Sequence, residues 1–270
     1  FYFQGEPYLH PQFTDLVAAA HAKNIYTTTS TNAHFLTPEM ARKTVESGLS
    51  RLIISIDGTT QEVYEQYRIH GQLEKVIAGT KNIIAAKKAM KSSTPHVIFQ
   101  FLVVKPNEHQ IADVQRLATD LGVEEVRLKT AQIYDYENGS DLIPENENYS
   151  RYRQQANGKW TIKNKLLNQC WRMWQGCVFT WDGKVVPCCF DKDAAHTLGD
   201  ASGGGCFSAP AQLRSAQLSL LGQLLSLRLA CATVRTTRAM RVERTTRCMQ
   251  PEHQRPPRIH TISNRQSAIG

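Results

Sequence analysis

From residue 25 to residue 131, β-rich runs alternate with helical patterns of ten residues or more, and that alternation leaves few folds open. Ile25-Tyr-Thr-Thr-Thr-Ser30, Arg51-Leu-Ile-Ile-Ser-Ile56, His96 to Val104 and Glu125 to Ala131 read as strands, the second stopped by Asp57-Gly58. Helical patterns fill the gaps: about Pro11 to Lys23, a helix capped by Thr37 with Pro38 in its first turn and Gly48 at its close, Leu73 to Met90, and Glu108 to Leu121 ending at Gly122. Strands separated by helices of this length predict parallel βαβ units, in an open sheet or a barrel. Ligands in that architecture bind at the carboxyl ends of the strands. Those ends carry Gly5-Glu6-Pro7, Thr31-Asn32-Ala33, Ser55 with Asp57-Gly58, Lys105 to Asn107, and Lys129-Thr130. All are polar or contain glycine, which suits a site; loops in water are polar for their own reasons too.

A chain of 270 residues can bury a full core in one large domain or two ordinary ones. No apolar run approaches the roughly 20 residues of a membrane span, and the first residues lack the basic and apolar regions of a secretory signal, so a cytoplasmic protein with reduced thiols and no membrane partner is expected. Net charge is +8, which by itself would point to nucleic acid. Its distribution argues otherwise: residues 1–200 hold 22 Lys+Arg against 22 Asp+Glu, whereas residues 201–270 hold 10 Arg against Glu243 and Glu252. The same tail has no Lys, Asp, Tyr or Trp. A basic binding arm, a disordered tail and a reading-frame slip all fit it, the slip best. Phe1-Tyr-Phe-Gln4 reads as the middle of a strand; Tyr-Phe-Gln-Gly also occurs in a cleavage tag, but Glu6-Pro7-Tyr8-Leu9 continues as native sequence.

Four cysteines fall within twenty residues, in Cys170-Trp-Arg-Met-Trp-Gln-Gly-Cys177-Val-Phe-Thr-Trp-Asp-Gly183-Lys-Val-Val-Pro-Cys188-Cys189. Asp182-Gly183 between β-formers predicts a hairpin that folds Cys188 back toward the strand carrying Cys177. Such a cluster holds a metal or forms disulfides, and thiolates suit zinc and iron–sulfur sites alike.

Taken together, the strand ends and the cysteine hairpin resemble a radical S-adenosylmethionine (SAM) enzyme with a SPASM-type auxiliary iron–sulfur domain. Gly5-Glu6-Pro7 after an aromatic run is similar to the family's Gly-Glu-Pro element, which there grips the amino group of SAM. The resemblance makes Thr31, Asn32 and Asp57 part of the cofactor site, gives Ser55 a ribose or carboxylate contact, and lets Arg68 pair with the cofactor carboxylate. Cys170, twelve residues, Gly183, four residues and Cys188 match the opening of the SPASM pattern, which makes Cys170 and Cys188 auxiliary-cluster ligands and leaves Cys177 and Cys189 as spare thiols.

The implied fold is a partial (β/α)6-type barrel lacking its first strand over residues 1–135, then a linker at 136–168, a small Cys-rich α+β domain at 169–200, and the anomalous tail at 201–270. The implied cofactors are SAM and [4Fe–4S] clusters, the partners a peptide or small-molecule substrate and a reductant such as flavodoxin or ferredoxin. Two departures stand out. The C-x3-C-x2-C triplet that would hold the radical cluster does not occur, and Cys206, Cys231 and Cys248 are too widely spaced for the later C-x2-C pair. A fragment, inactive by itself, of a longer radical enzyme is therefore expected, and no catalytic residue is assigned. Two other classes compete: a non-catalytic zinc-binding α/β module, and a basic protein that binds nucleic acid through its tail. A hydrolase is disfavoured because His10, His34, His70, His96, His109 and His196 are scattered without a nucleophile and acid beside them.

Overall fold

The computed structural model describes residues 5–133, 135–164, 176–189, 191 and 193–201. Cys170, the run before Gly5 and the Arg-rich tail lie outside the described residues.

Four strands, β1 (Thr28–Thr31), β2 (Arg51–Ser55), β3 (His96–Val103) and β4 (Glu125–Thr130), form one sheet in the order β1-β2-β3-β4. Every neighbouring pair is parallel, as the alternation predicts, with Thr31 opposite Ile54, Ser55 opposite Gln100 and Leu102 opposite Lys129. The intervening helices are α1 (Phe13–His21), α2 (Pro38–Glu46), α3 (Gln61–Tyr67), α4 (Leu73–Ala89) and α5 (Ile111–Leu121).

Because side chains alternate along a strand, the sheet has two distinct faces. One is apolar: Leu52, Ile54, Val97, Phe99, Phe101 and Val103 pack with Val17 of α1, Ala41 and Val45 of α2, Val76 and Ile83 of α4, and Val114 and Ala118 of α5. Burying such side chains stabilises by about 1.5–3 kcal/mol each, so this face decides where the helices sit. The other face carries Arg51, Ile53 and Ser55, then His96, Ile98, Gln100 and Leu102, then Glu125, Arg127 and Lys129, as the register requires. The sheet thus has one apolar face and one mixed face, on which buried Ile53, Ile98 and Leu102 alternate with the polar side chains.

Local signals set the boundaries. Thr37 Oγ1 accepts the Met40 N–H at 3.2 Å to cap α2, and Pro38 opens it. Gly122 takes φ +78° after α5, the left-handed stop that glycine adopts without strain. The strand expected from Ile25 begins three residues later, because the Ile25 N–H turns back to the Ala20 carbonyl and closes α1. The helix expected from Glu108 opens as a 3-10 turn over Glu108–Gln110 before α5. The sequence pattern does not reveal α3, whose seven residues bury one side chain, Tyr64.

Helix α4 lies hard against the loop that follows β1. Asn82 donates to the Leu36 carbonyl at 2.8 Å, and a Cβ on Gly79 would stand 2.2 Å from the Ala33 oxygen. At the opposite, amino edge of the sheet, buried Lys87 pairs with Glu124, whose other oxygen accepts the Val97 N–H at 2.9 Å. Glu125 takes hydrogen bonds from Arg127 and sits 3.0 Å from His96 Nε2.

After β4 the chain folds back over the carboxyl end of β3. The Leu142 carbonyl accepts the Lys105 N–H at 3.3 Å, and the Glu108 carboxylate accepts the N–H groups of Glu145 and Asn146 at 3.2 and 3.0 Å. A hairpin of β5 (Tyr152–Gln154) and β6 (Trp160–Ile162) follows, and Tyr152 donates to the Ile133 carbonyl at 2.9 Å while stacking on Tyr136. A three-stranded antiparallel sheet of β7 (Val178–Phe179), β8 (Lys184–Val186) and β9 (Gly199–Asp200) completes the described chain. No helix among the described residues is long and apolar enough to cross a membrane.

Replacing Gly79 with alanine forces its new methyl into the Ala33 carbonyl, so G79A is expected to lose about 1–3 kcal/mol, read as a lower urea midpoint with an unchanged slope. A second expectation concerns acid. Hydrogen bonding from Arg127, and then from His96, lowers the Glu125 carboxyl from its ordinary 4.5 to about 2. A lowered folded-state value contributes stability above pH 4.5 that is lost as pH falls toward 2. Solvent screening keeps the effect small, since a third of the side chain is exposed. Glu125→Gln should therefore flatten the acid limb of a thermal-melt series between pH 4.5 and 2, leaving the neutral limb parallel to wild type.

Candidate cofactor site and cysteine hairpin

Glu6 brings the first group of expected residues together. Its Oε1 accepts the Tyr8 N–H at 3.2 Å and the Thr31 hydroxyl at 2.8 Å, and its Oε2 accepts the Asn32 N–H at 2.8 Å. The carboxylate thus ties the turn Gly5-Glu6-Pro7 to the end of β1, with Gly5 at φ +82° and Pro7 opening a 3-10 turn. Oε2 receives one bond from the described residues and keeps acceptor capacity for an incoming ammonium. Asn32 is fixed further, since its Oδ1 accepts the His34 N–H at 3.0 Å.

Asp57 organises the second group at the end of β2. It is 1% exposed, yet each of its oxygens has a partner: Oδ1 accepts the Leu102 N–H at 2.8 Å, Oδ2 accepts Arg68 Nε at 2.6 Å, and the carbonyl accepts Asn107 Nδ2 at 2.9 Å. Asn107 also donates to the Leu102 carbonyl and accepts the Val104 N–H, so one buried bracket joins the carboxyl ends of β2 and β3. Arg68 lies over the Tyr67 ring, 5.6 Å from its centroid. Burial works against its charge, but the neighbouring Asp57 outweighs that and holds the guanidinium firmly protonated. Its Nη atoms meet no acceptor among the described residues, and the side chain is 35% exposed. Burial also raises the Tyr64 hydroxyl to about 12 and pushes Tyr67 up, so both phenols stay neutral.

Between the groups stands Ser55, on the polar face, with no described hydrogen-bond partner. Thr31 opposite Ile54 puts Asn32 opposite Ser55, one strand spacing or about 4.8 Å away. Glu6, Thr31, Asn32, Ser55, Asp57 and Arg68 thus share one corner of the sheet. Within the described residues Asp57 braces β3 through Leu102 and holds Arg68. The contribution of Asn107 was not legible, because its bracket depends on backbone groups fifty residues away in sequence.

In the cysteine region, β7 pairs with β8 antiparallel, Val178 opposite Val186, across a turn closed by Gly183 N–H to the Thr180 carbonyl at 3.0 Å. Cys177 and Cys188 accordingly leave the same end of the hairpin, as the Asp182-Gly183 signal predicts. Cys177 and Cys188 are half-buried free thiols, Cys189 is exposed, and desolvation raises Cys177. Among the described residues no three Cys, His, Asp or Glu side chains gather as a metal site.

Residues 1–125 match the model of the Radical SAM superfamily, and residues 170–204 match that of the SPASM iron–sulfur cluster-binding domain. Together the two matches support a radical SAM enzyme with a SPASM domain. Over 205 residues it is 27% identical to the tungsten-containing aldehyde ferredoxin oxidoreductase cofactor-modifying protein of Pyrococcus furiosus, covering 68% of this chain and 55% of that protein. It is 30% identical over 118 residues to the mycofactocin maturase MftC of Mycobacterium tuberculosis, covering 44% of this chain and 29% of that one. The crystal structure of Streptococcus suis SuiB superposes with a TM-score of 0.51 at 13% identity, over 73% of this chain and 51% of that chain, and shares its fold. The match spans about half the length of the Pyrococcus relative and less than a third of the mycobacterial one.

The two matched domains imply SAM and [4Fe–4S] clusters as cofactors. The corner around Ser55 suits the methionyl end of SAM, offering an acceptor for its ammonium at Glu6 and donors for its carboxylate at Arg68. The sequence holds no cysteine before Cys170, so its own residues do not supply the C-x3-C-x2-C triplet of the radical cluster.

Removing Asp57 should unpin two strand ends together. Asp57→Ala leaves the Leu102 N–H and the Arg68 guanidinium without their acceptor and should cost about 3–5 kcal/mol; Asp57→Asn, which keeps one acceptor for Leu102, should cost about 1–3 kcal/mol. Equilibrium urea unfolding measures both, and equal losses would mean that the charge on Asp57 is immaterial.

Proposed function

We propose that this chain forms the SAM-binding wall and the auxiliary-cluster hairpin of a radical SAM enzyme acting on a peptide or other small substrate. The observation that carries the reading is the shared corner in which Glu6 is bonded to Asn32 at the end of β1, and Arg68 to Asp57 at the end of β2 beside Ser55. When bound, the reduced radical cluster and SAM supply a 5′-deoxyadenosyl radical that removes a hydrogen atom from the substrate. The residues of this chain bind and orient. Glu6, shaped by Gly5 and Pro7, accepts the SAM ammonium group; Arg68, aimed by Asp57, donates its Nη edge to the carboxylate; Thr31, Asn32 and Ser55 line the space between. Apolar packing of Leu102, Val104 and Ala131 with Tyr67, Ile133 and Leu142 excludes water beside it.

Cys170 and Cys188 ligate an auxiliary cluster that helps to bind substrate or passes electrons, with the triplet for the radical cluster supplied from outside this sequence. A flavodoxin or ferredoxin in the cytoplasm is the reductant. Two relatives, named a cofactor-modifying protein and a mycofactocin maturase, give the substrate class its support.

Calorimetric titration of the full chain with SAM tests this reading. Saturable one-to-one binding is expected, weakened tenfold or more by Glu6→Gln and by Arg68→Met, since a charge-assisted hydrogen bond contributes about 1.5–3 kcal/mol. No binding by the wild-type chain, or unchanged affinity in both variants, would overturn it.

A further inference from the structure

The polar face of the sheet continues past the cofactor corner, and its charges do not balance. A parallel sheet covered on both sides normally reads as near-continuous apolar strands, and a packed barrel interior is filled by branched apolar residues. This face instead carries three cations, Arg51, Arg127 and Lys129, against one carboxylate, Glu125. Glu125 is committed to Arg127 and His96. That leaves Arg51 and Lys129 uncompensated.

The two differ in position. Arg51 lies at the amino edge, far from the cofactor corner, against the Tyr26 ring at 5.6 Å, with its buried Nε lacking a hydrogen-bond partner among the described residues. Lys129 lies at the carboxyl edge. It is exposed and makes no hydrogen bond or ion pair with any described residue, whereas Lys105, nearby on the end of β3, is already taken by Glu145 at 2.9 Å. One line across the sheet joins Lys129 to the cofactor corner, because Lys129 is opposite Leu102 and the Leu102 N–H is held by Asp57. The row beneath runs Ser55, Gln100, Arg127.

We propose that Lys129 anchors an anionic group of the substrate, a carboxylate or a phosphate, about 10 Å or two strand spacings across the polar face from Asp57 and Ser55. The inference rests on the SAM-site reading for its geometry, since that reading puts the reacting end of the cofactor over this face. Half-buried Gln100, in the row beneath, forms the floor on which the substrate lies between cofactor and anchor, beside the covered Leu102. An ammonium is a compact point charge with three donors, suited to either anion, and no carboxylate among the described residues competes for it. Arg127 stays locked to Glu125 and adds a second positive charge behind the anchor without binding directly.

The test uses the full chain with its lysines carrying 13C-dimethyl labels, which keep their charge, and Lys129→Arg to identify the Lys129 signal by NMR. Glutarate, inorganic phosphate and SAM are titrated separately at constant ionic strength, with sodium chloride as reference. A saturable shift of the Lys129 signal by glutarate or by phosphate, absent from exposed Lys75, is expected, and the more effective anion identifies the group. A Lys129 signal that moves no more than that of Lys75 in either anion overturns the proposal, as does one that responds to SAM alone. In parallel, SAM affinity should change less than twofold in Lys129→Met. Should SAM fail to bind while glutarate or phosphate still shifts Lys129, the cofactor reading falls and the anion site stands.

Discussion

The sealing of one face of the parallel sheet fixes everything else in this molecule. Leu52, Ile54, Phe99, Phe101 and their neighbours can reach a dry environment only beneath α1, α2, α4 and α5, so the helices all gather on that side. With one face closed, the alternation of the strands turns Ser55, Gln100, Arg127 and Lys129 outward together. The parallel direction of the strands then brings Asn32, Ser55 and Asp57 to a common edge. No single residue creates the site; its members are near one another because the hydrocarbon layer on the far side leaves the strands no other register.

Within that frame a few buried polar bonds determine how sharply the edge is defined. Asp57 is the most demanding, an ionised group out of water that is tolerated because Leu102, Arg68 and Asn107 satisfy its polar atoms. Glu6 plays the same part at the neighbouring strand with less burial, fastening a turn to residues 25 and 26 positions further along. Both carboxylates therefore have a structural duty beside any role toward a ligand. In such a corner, binding residues and folding residues are partly the same.

Much of this was legible in the chain. Each of the four strands was visible as a β-rich run, α2 announced itself through Thr37 and Pro38, and the Asp182-Gly183 turn foretold the cysteine hairpin. Periodicity and turn chemistry act over a few residues, and where they decide the outcome the sequence can be read. What stayed hidden was set by distant partners. Helix α3 is too short to display a face, the start of β1 was moved by the hydrogen bond between Ile25 and Ala20, and the bracing of β3 by Asp57 depends on a backbone group 45 residues away. The charge surplus at Lys129 also emerged only when the register showed which cations share a face with which carboxylates.

The contact between Gly79 and the Ala33 carbonyl has a mechanical consequence. With no side chain between them, α4 and the loop bearing Asn32 touch backbone to backbone, and Asn82 fastens the same loop at Leu36. A joint of that kind has almost no slack. Any tilt of α4 carries the Asn32 edge with it, so substitutions along the outer surface of that helix can widen or narrow the corner as a lever moves its load.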